Sequence, residues 1–468
     1  MTEQPRSSQM SKQKGKKEKK FTKQEISWMF YDWANSIYAT NIMAAIFPIY
    51  FSAVCSNGDS MWGFGTSIAT FVVAISAPFL GAIGDYKGMK KRLLIFFMCL
   101  GTSFTLLMAI ADNWRLMLVG YVISYIGFLG GNLFYDSFLT DVTTKEKMDK
   151  VSSYGYAMGY FGGSTLPFII SIGIMTILGF DNPLGVKIAV VLTAVWWAVF
   201  SIPIIRNVHQ VHYQEIPPKH FIGLTLKSVG NTFSAIFKRK SIFIFVLAYF
   251  FYIDGVNTVI NMATAYGSKI GLDTVGMILA LLVTQIVAVP FSILFSVLSK
   301  KFGSIRMISF AVSMYIFICI VGYYMGASIE SAPKELFAHT SHFLSSAETS
   351  HVHSTISASL DHAKAIDFSE RLFWIMALLV GTVQGGIQAI SRSYYGKIIP
   401  KERSNEFFGF FDIFGKFAAI IGPFLYATIT TLTNSSAKGI LSVSVLFAIA
   451  LVVLLVGRKQ LAVIQEVS

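Results

Sequence analysis

Residues 30–54 read FYDWANSIYATNIMAAIFPIYFSAV. The run is long and apolar enough to cross a bilayer, for which about 20 residues suffice. Yet its first turns carry Asp32, Asn35 and Ser36. An aspartate at the centre of a membrane helix costs about 2.5–3.5 kcal/mol, so this carboxylate must face protein or a wet cavity.

The whole chain has the same character. Its 468 residues are 54% hydrophobic and only 13% charged, against about a quarter for soluble domains. An all-α polytopic membrane protein is the class that fits, with the lipid bilayer as its first partner. The net charge of +13 does not signal nucleic acid, because the basic residues lie in short clusters between apolar runs. Cys55, Cys99 and Cys319 have no paired spacing, so neither a disulfide frame nor a zinc site is expected. No cofactor motif or catalytic constellation stands out, and an enzyme is not expected. The stretch GFFDIFGK, residues 409–416, is one residue too long for a phosphate loop, and Phe417 replaces the needed Ser or Thr.

Reading with a 20-residue ruler yields twelve membrane helices near 27–54, 62–84, 93–111, 116–138, 153–179, 187–205, 241–266, 276–298, 307–327, 371–395, 406–432 and 438–457. The expected organisation is a basic tail over 1–25 and a six-helix bundle over 26–205. A linker over 206–240 follows, then a second bundle over 241–457 with an outside loop at 326–370, and a tail over 458–468. The lysine-rich first tail reads as a solvated segment near anionic lipid, with no secretory signal following it. Of the 38 Lys and Arg residues, 29 fall in the tails and even-numbered loops and 7 in the odd-numbered loops. This bias places both termini in the cytoplasm.

The two halves echo each other, as the halves of many transporters do. GAIGDYKGMKKR (81–92) has a counterpart in SVLSKKFGSIR (296–306), and Tyr154-Gly155-Tyr156 in Phe408-Gly409-Phe410. The sharpest echo is the opening motif: Asp32-x-x-Asn35-Ser36 recurs as Asp254-x-x-Asn257-Thr258. At 100° per residue, Asp254, Asn257, Thr258 and Asn261 share one helical face. Asn132, Tyr135 and Asp136 form a stripe on the fourth span, and Gln384, Gln388, Ser391 and Arg392 another on the tenth. Spans one, four, seven and ten thus carry inward polar faces, as helices lining a pathway between two bundles would.

Candidate solute contacts are Asp254, Asn257, Thr258, Asn261, Gln384 and Gln388, with Asn35 and Asn132 contributing. Asp254 reads either as a partner for a solute ammonium or proton, or as a carboxylate bonded to a neighbouring span. Asp32, Asp136, Asp412, Lys416 and Arg392 are candidates for coupling or gating. Lys416 could hold a solute carboxylate, or could simply neutralise Asp412 at i, i+4. Arg392, near the end of its span, reads as an anchor whose head snorkels to the interface. Gly81, Asp85, Gly88, Lys90, Lys91 and Arg92 form a candidate conformational latch: Gly88 permits a tight turn, and the charges can pair across the halves in one state only. His339, His342, His351, His353 and His362 lie in the long outside loop without ligand spacing, so no metal site is expected.

The loop from Gly81 to Arg92 resembles the signature of the major facilitator superfamily, departing where Tyr86 stands in place of a basic residue. Within that superfamily, YDWANSIYAT (31–40) and SRSYYGKIIPKERSNEFFGFFDIFGK (391–416) are similar to the vacuole-effluxer-like family, whose fungal members are autophagy-related amino-acid effluxers. The resemblance implies twelve helices in two pseudo-symmetric bundles and secondary transport by alternating access. It also implies a small polar solute, with amino acids first; the aspartates within the spans, not the resemblance, point to protons as a coupling partner. Its lysine-rich tail and compact length look bacterial, which would place it in a plasma membrane, the alternative being a vacuolar one. Export of drugs or other amphiphiles is the competing transport reading, favoured by the many Phe and Tyr residues. A non-transporting sensor or scaffold is the competing class; it has no need to bear the insertion cost of the polar stripes.

Overall fold

The computed structural model describes residues 20–55, 58–179, 182–215, 221–331 and 349–462. Most of the expected basic tail, with His339 and His342, lies outside the described residues. Among the described residues, twelve helices are long and apolar enough to cross a membrane: Lys23–Val54, Met61–Gly84, Met89–Ile110, Trp114–Val142, Met148–Leu178, Pro183–Asn207, Lys240–Ala263, Leu279–Phe302, Ser304–Glu330, Ala363–Ile398, Lys401–Thr433 and Ser436–Val456. They are called spans 1 to 12 below. The expected twelve-helix architecture is thus present.

Alternating direction puts the start of span 1 and the even-numbered loops at one end of the bundle, here the basic end, and the other loops at the far end. Helix starts follow local chemistry. Spans 4, 6, 8 and 12 begin at the far end, and Asn113, Asn182, Asp273 and Ser435 cap the helices that contain them, that of span 8 starting at Thr274, through side-chain acceptors. Span 1 begins at the basic end with a capping box of Thr22 and Glu25. The duplicated turns after spans 2 and 8 both rest on left-handed glycines, Gly88 at φ 74° and Gly303 at φ 91°. Only glycine adopts that backbone without penalty, which explains the repeated glycine-basic pattern.

Each half has its own apolar interior. Trp28, Tyr31, Tyr38, Tyr121 and Trp197 are fully buried in the first, and Tyr252, Tyr266, Tyr315 and Phe447 in the second. Side chains such as Phe64, Phe71, Ile177, Phe424 and Val456 remain exposed on the outside, as lipid-facing helices require. The halves meet along spans 2 and 11, 4 and 11, 5 and 8, and 5 and 10. Glycines set the closest approaches. A methyl group at Gly81 would stand 2.4 Å from the Asn405 carbonyl oxygen, and one at Gly409 would stand 2.6 Å from that of Ala77.

Three features depart from simple spans. Spans 1 and 5 each contain a π-helical turn, at Tyr38–Ala44 and Gly159–Thr165, a geometry that widens the helix locally. Within the described parts of the linker, Phe221–Lys238 is a helix, and Gln214 pairs with Tyr86 in an isolated bridge. Finally, Thr349–Ile398 is one continuous helix, so the last part of the expected outside loop extends span 10 and carries His351, His353 and His362.

Candidate functional site

The duplicated motif packs within each half. Asp32 and Ser36 of span 1 face Gly155, Gly159 and Gly163 of span 5, and Asp254 and Thr258 of span 7 face Gly422 of span 11. Asp254 is fully buried, and both its oxygens accept the Gly422 backbone N–H at 2.9 Å. Thr258 donates to the Asp254 carbonyl at 2.7 Å. In this conformation the pair is sealed in a helix contact, while Asn257 is half-buried and Asn261 exposed. Asn35 donates to Asn132 at 2.5 Å, joining spans 1 and 4. Gln384 is buried beside the Tyr160 hydroxyl, and Gln388 is half-buried on the same helix.

Asp32 behaves differently from its repeat. It accepts the Tyr135 hydroxyl at 2.6 Å and lies 3.3 Å from Arg392 of the other half. Arg392 does not snorkel. Its side chain is only 4% exposed, and a guanidinium that far inside a protein requires compensation on every side. It receives that from Asp136 at 2.9 Å and from the Ser152 hydroxyl and carbonyl at 3.0 and 3.1 Å. The rings of Trp28, Tyr135 and Tyr156 lie 4.7, 5.3 and 4.4 Å from its central carbon. Sequence reasoning missed this cage because its members come from spans 1, 4, 5 and 10. The stripe of Tyr135 and Asp136 was its one visible sign.

On span 11, Asp412 pairs with Lys416 one turn later. The Asp412 carboxylate is close enough to Asp136 for their charges to interact, and Tyr125 and Tyr249 lie within the same electrostatic range. The Asp136–Arg392 and Asp412–Lys416 pairs therefore lie within electrostatic range of each other across the interface.

Nearer the basic end, further ties cross the halves. Asp85 accepts the backbone N–H groups of Asn405 and Glu406 at 2.9 and 3.1 Å and the Asn405 amide at 2.8 Å. It thereby caps the start of span 11 from the opposite half, where the helix offers unpaired N–H groups and a partial positive charge. Burial pushes the Asp85 carboxyl up to about 7, against the opposing pull of Lys90 and the N–H donors. Lys90 is fully buried between Asp141 at 2.6 Å and the Ser404 hydroxyl at 2.9 Å. Gly88 forms the turn, Lys91 reaches His209 at 3.5 Å, and Arg92 is exposed. The linker closes over this group, with Asp141 accepting the backbone N–H groups of Val211 and His212.

A second tie had no sign beyond loop charges. Asp149 accepts Lys397 and Ser393 at 2.5 Å, Ser299 at 2.7 Å and Ser304 at 3.0 Å, joining span 5 to spans 8, 9 and 10. The polar ties described between the halves run from mid-span, at Tyr160 and Gln384, to the basic end. Among the described residues, none of those stated lies nearer the far end, and no cluster of potential metal ligands occurs.

The family model for vacuole effluxer Atg22 like proteins matches residues 54–335 and 368–461. The chain belongs to this family. An uncharacterized MFS-type transporter of Bacillus subtilis (strain 168), YxiO, is 39% identical over 450 residues, covering 93% of this chain and 95% of its relative. Autophagy-related protein 22 of Cryptococcus neoformans var. neoformans serotype D (strain JEC21) is 24% identical over 330 residues, covering 68% of this chain and 51% of that protein. Among solved structures, a bacterial homologue of the iron transporter ferroportin in an outward-facing state superimposes with a TM-score of 0.61 at 13% identity. The match covers 93% of this chain and 98% of the other, and at that identity it speaks for the fold alone. The Atg22-like family member described here has the major facilitator fold and is a multi-pass membrane protein.

Proposed function

We propose that this protein is a secondary transporter that carries a small zwitterionic solute, amino acids first, by alternating access between its halves. The observation that carries the reading is that the Asp136–Arg392 and Asp412–Lys416 pairs lie within electrostatic range of each other at the interface. A solute with an ammonium and a carboxylate can exchange partners with two such pairs without leaving a net charge unsolvated. In this reading Asn132, Asn257, Asn261, Gln384 and Gln388 offer the solute neutral hydrogen-bonding groups, with Asn35 orienting Asn132. Asp254 and Thr258 act one step away, by holding span 11 against span 7.

The ties at the basic end correspond, in this reading, to a state closed on that side, with Gly81, Asp85, Gly88, Lys90, Lys91 and Arg92 as the latch. The charge bias makes the basic end cytoplasmic and thus both termini cytoplasmic. The bacterial relative favours the plasma membrane. Coupling to protons belongs to the same reading, because Asp32 and Asp136 together carry one more negative charge than Arg392 balances. Purified protein in liposomes should move labelled neutral amino acids saturably, faster under an imposed pH gradient. Flux absent for amino acids but present for hydrophobic cations would overturn the solute assignment, and indifference to the gradient would overturn the coupling.

A further inference from the structure

We propose that Arg392 is the lock that holds the basic end closed, and that Asp136 is the arm of the lock that lets go. Arg392 sits in span 10 of the second half, yet every partner that compensates its charge belongs to the first. Asp32 and Asp136 take its two terminal nitrogens, Ser152 takes the inner one, and Trp28, Tyr135 and Tyr156 wall the guanidinium. If the halves part at this end, all of these partners leave together, because they move as one body. The guanidinium then needs water, which only an open cleft can supply. Closure and the full set of contacts are therefore one event, which is what a two-state lock requires.

The two carboxylates are not equivalent. Asp32 is fastened by the Tyr135 hydroxyl and packed against Gly155, and its side chain is 13% exposed. Asp136 accepts from the guanidinium, its side chain is 29% exposed, and it lies within electrostatic range of the Asp412 carboxylate. A solute charge or proton arriving from the interface meets Asp136 first. Neutralising or diverting Asp136 removes one arm while Asp32 still balances Arg392, so the closed state is weakened without stranding a bare cation.

This inference rests on the alternating-access reading, but its test needs no solute. Thr140 is buried at the basic end, facing Gly396 of the opposite half, and takes no part in the lock. In protein with Cys55 and Cys99 replaced by serine, Thr140→Cys reports opening through its rate of reaction with a water-soluble maleimide. Cys319, fully buried in the second half, reports unfolding in the same sample. Arg392→Gln should raise the Thr140→Cys rate by about tenfold or more, as loss of a buried ion-pair partner implies. Asp136→Asn should raise it by a smaller factor, and Cys319 should stay unreactive in both. Unchanged Thr140→Cys rates in both variants would overturn the lock, as would Cys319 rising in step with it. Asp32→Asn exceeding Asp136→Asn with Cys319 still protected would overturn the assignment of the releasing arm. A lack of amino-acid flux in liposomes would bear on the solute alone.

Discussion

The Asp85 carboxylate accepts the Asn405 backbone N–H at 2.9 Å across the interface between the two halves. One residue of the turn between spans 2 and 3 thereby caps span 11, whose own sequence supplies no side-chain cap. Helix caps contribute about 1–2 kcal/mol when replaced by alanine. Asp85→Ala should therefore weaken closure of the basic end by about that amount, roughly tenfold in the Thr140→Cys labelling rate. Asp85→Asn retains one acceptor and should show a smaller rise.

The same carboxylate should make the proposed closure depend on pH. Burial holds Asp85 at about 7 in the closed state, whereas in an opened, hydrated turn it returns to the ordinary carboxylate range. The closed state thus binds a proton more tightly, so its advantage from this group is complete at low pH. That advantage is lost as pH rises through about 7 and is flat above it. Fluorescent labels at Glu146 and Glu402, exposed positions on opposite halves at the basic end, should separate progressively from pH 5 to pH 7.5. Asp85→Asn should flatten that profile; a profile that is identical in the variant would assign the dependence elsewhere.

Close approach of spans 2 and 11 depends on absent side chains. A Cβ at Gly81 would lie 2.4 Å from the Asn405 oxygen and 2.9 Å from the Glu406 Cα, both backbone atoms that cannot rotate away. Gly81→Ala should push the basic ends apart at a cost of about 1–3 kcal/mol, the usual range for overpacking. The effect should appear as slowed flux together with faster Thr140→Cys labelling. Wild-type behaviour in both would mean the spans slide to accommodate the methyl group.

Asp254 offers a contrast, since its partners lie within one half. Asp254→Ala removes the acceptor that span 7 offers the Gly422 N–H and should lower thermal stability by about 1 kcal/mol. Asp254→Asn keeps an acceptor and should cost far less. Detergent-solubilised protein followed by a thermal unfolding assay would separate them. Equal losses would show that the charge itself, rather than the hydrogen bond, holds span 7 to span 11.

Most of the architecture was legible in the order of residues, because its causes are local. Twelve apolar runs, glycines at Gly88 and Gly303, and the repeated Asp-x-x-Asn-Ser/Thr motif follow from helix period, backbone freedom and insertion cost, each acting over a few residues. The candidate site was legible only in part. The stripes of Asn132 and Asp136, and of Gln384, Gln388 and Arg392, identified the helices that turn inward. They did not say which charges would meet. Arg392 reads along its own helix as a snorkelling anchor, and the structure buries it instead among Asp32, Asp136 and three rings. Lys397 and Asp149, which no sequence motif singles out, form a largely buried pair. Likewise Asp32 and Asp254 share a motif but diverge in partner, since only the first lies where the opposite half can reach it. Span placement and internal duplication were determined by the sequence itself, through periodicities that each helix expresses alone. Pairing across the two bundles was decided by the tertiary structure, because it depends on distances between residues hundreds of positions apart.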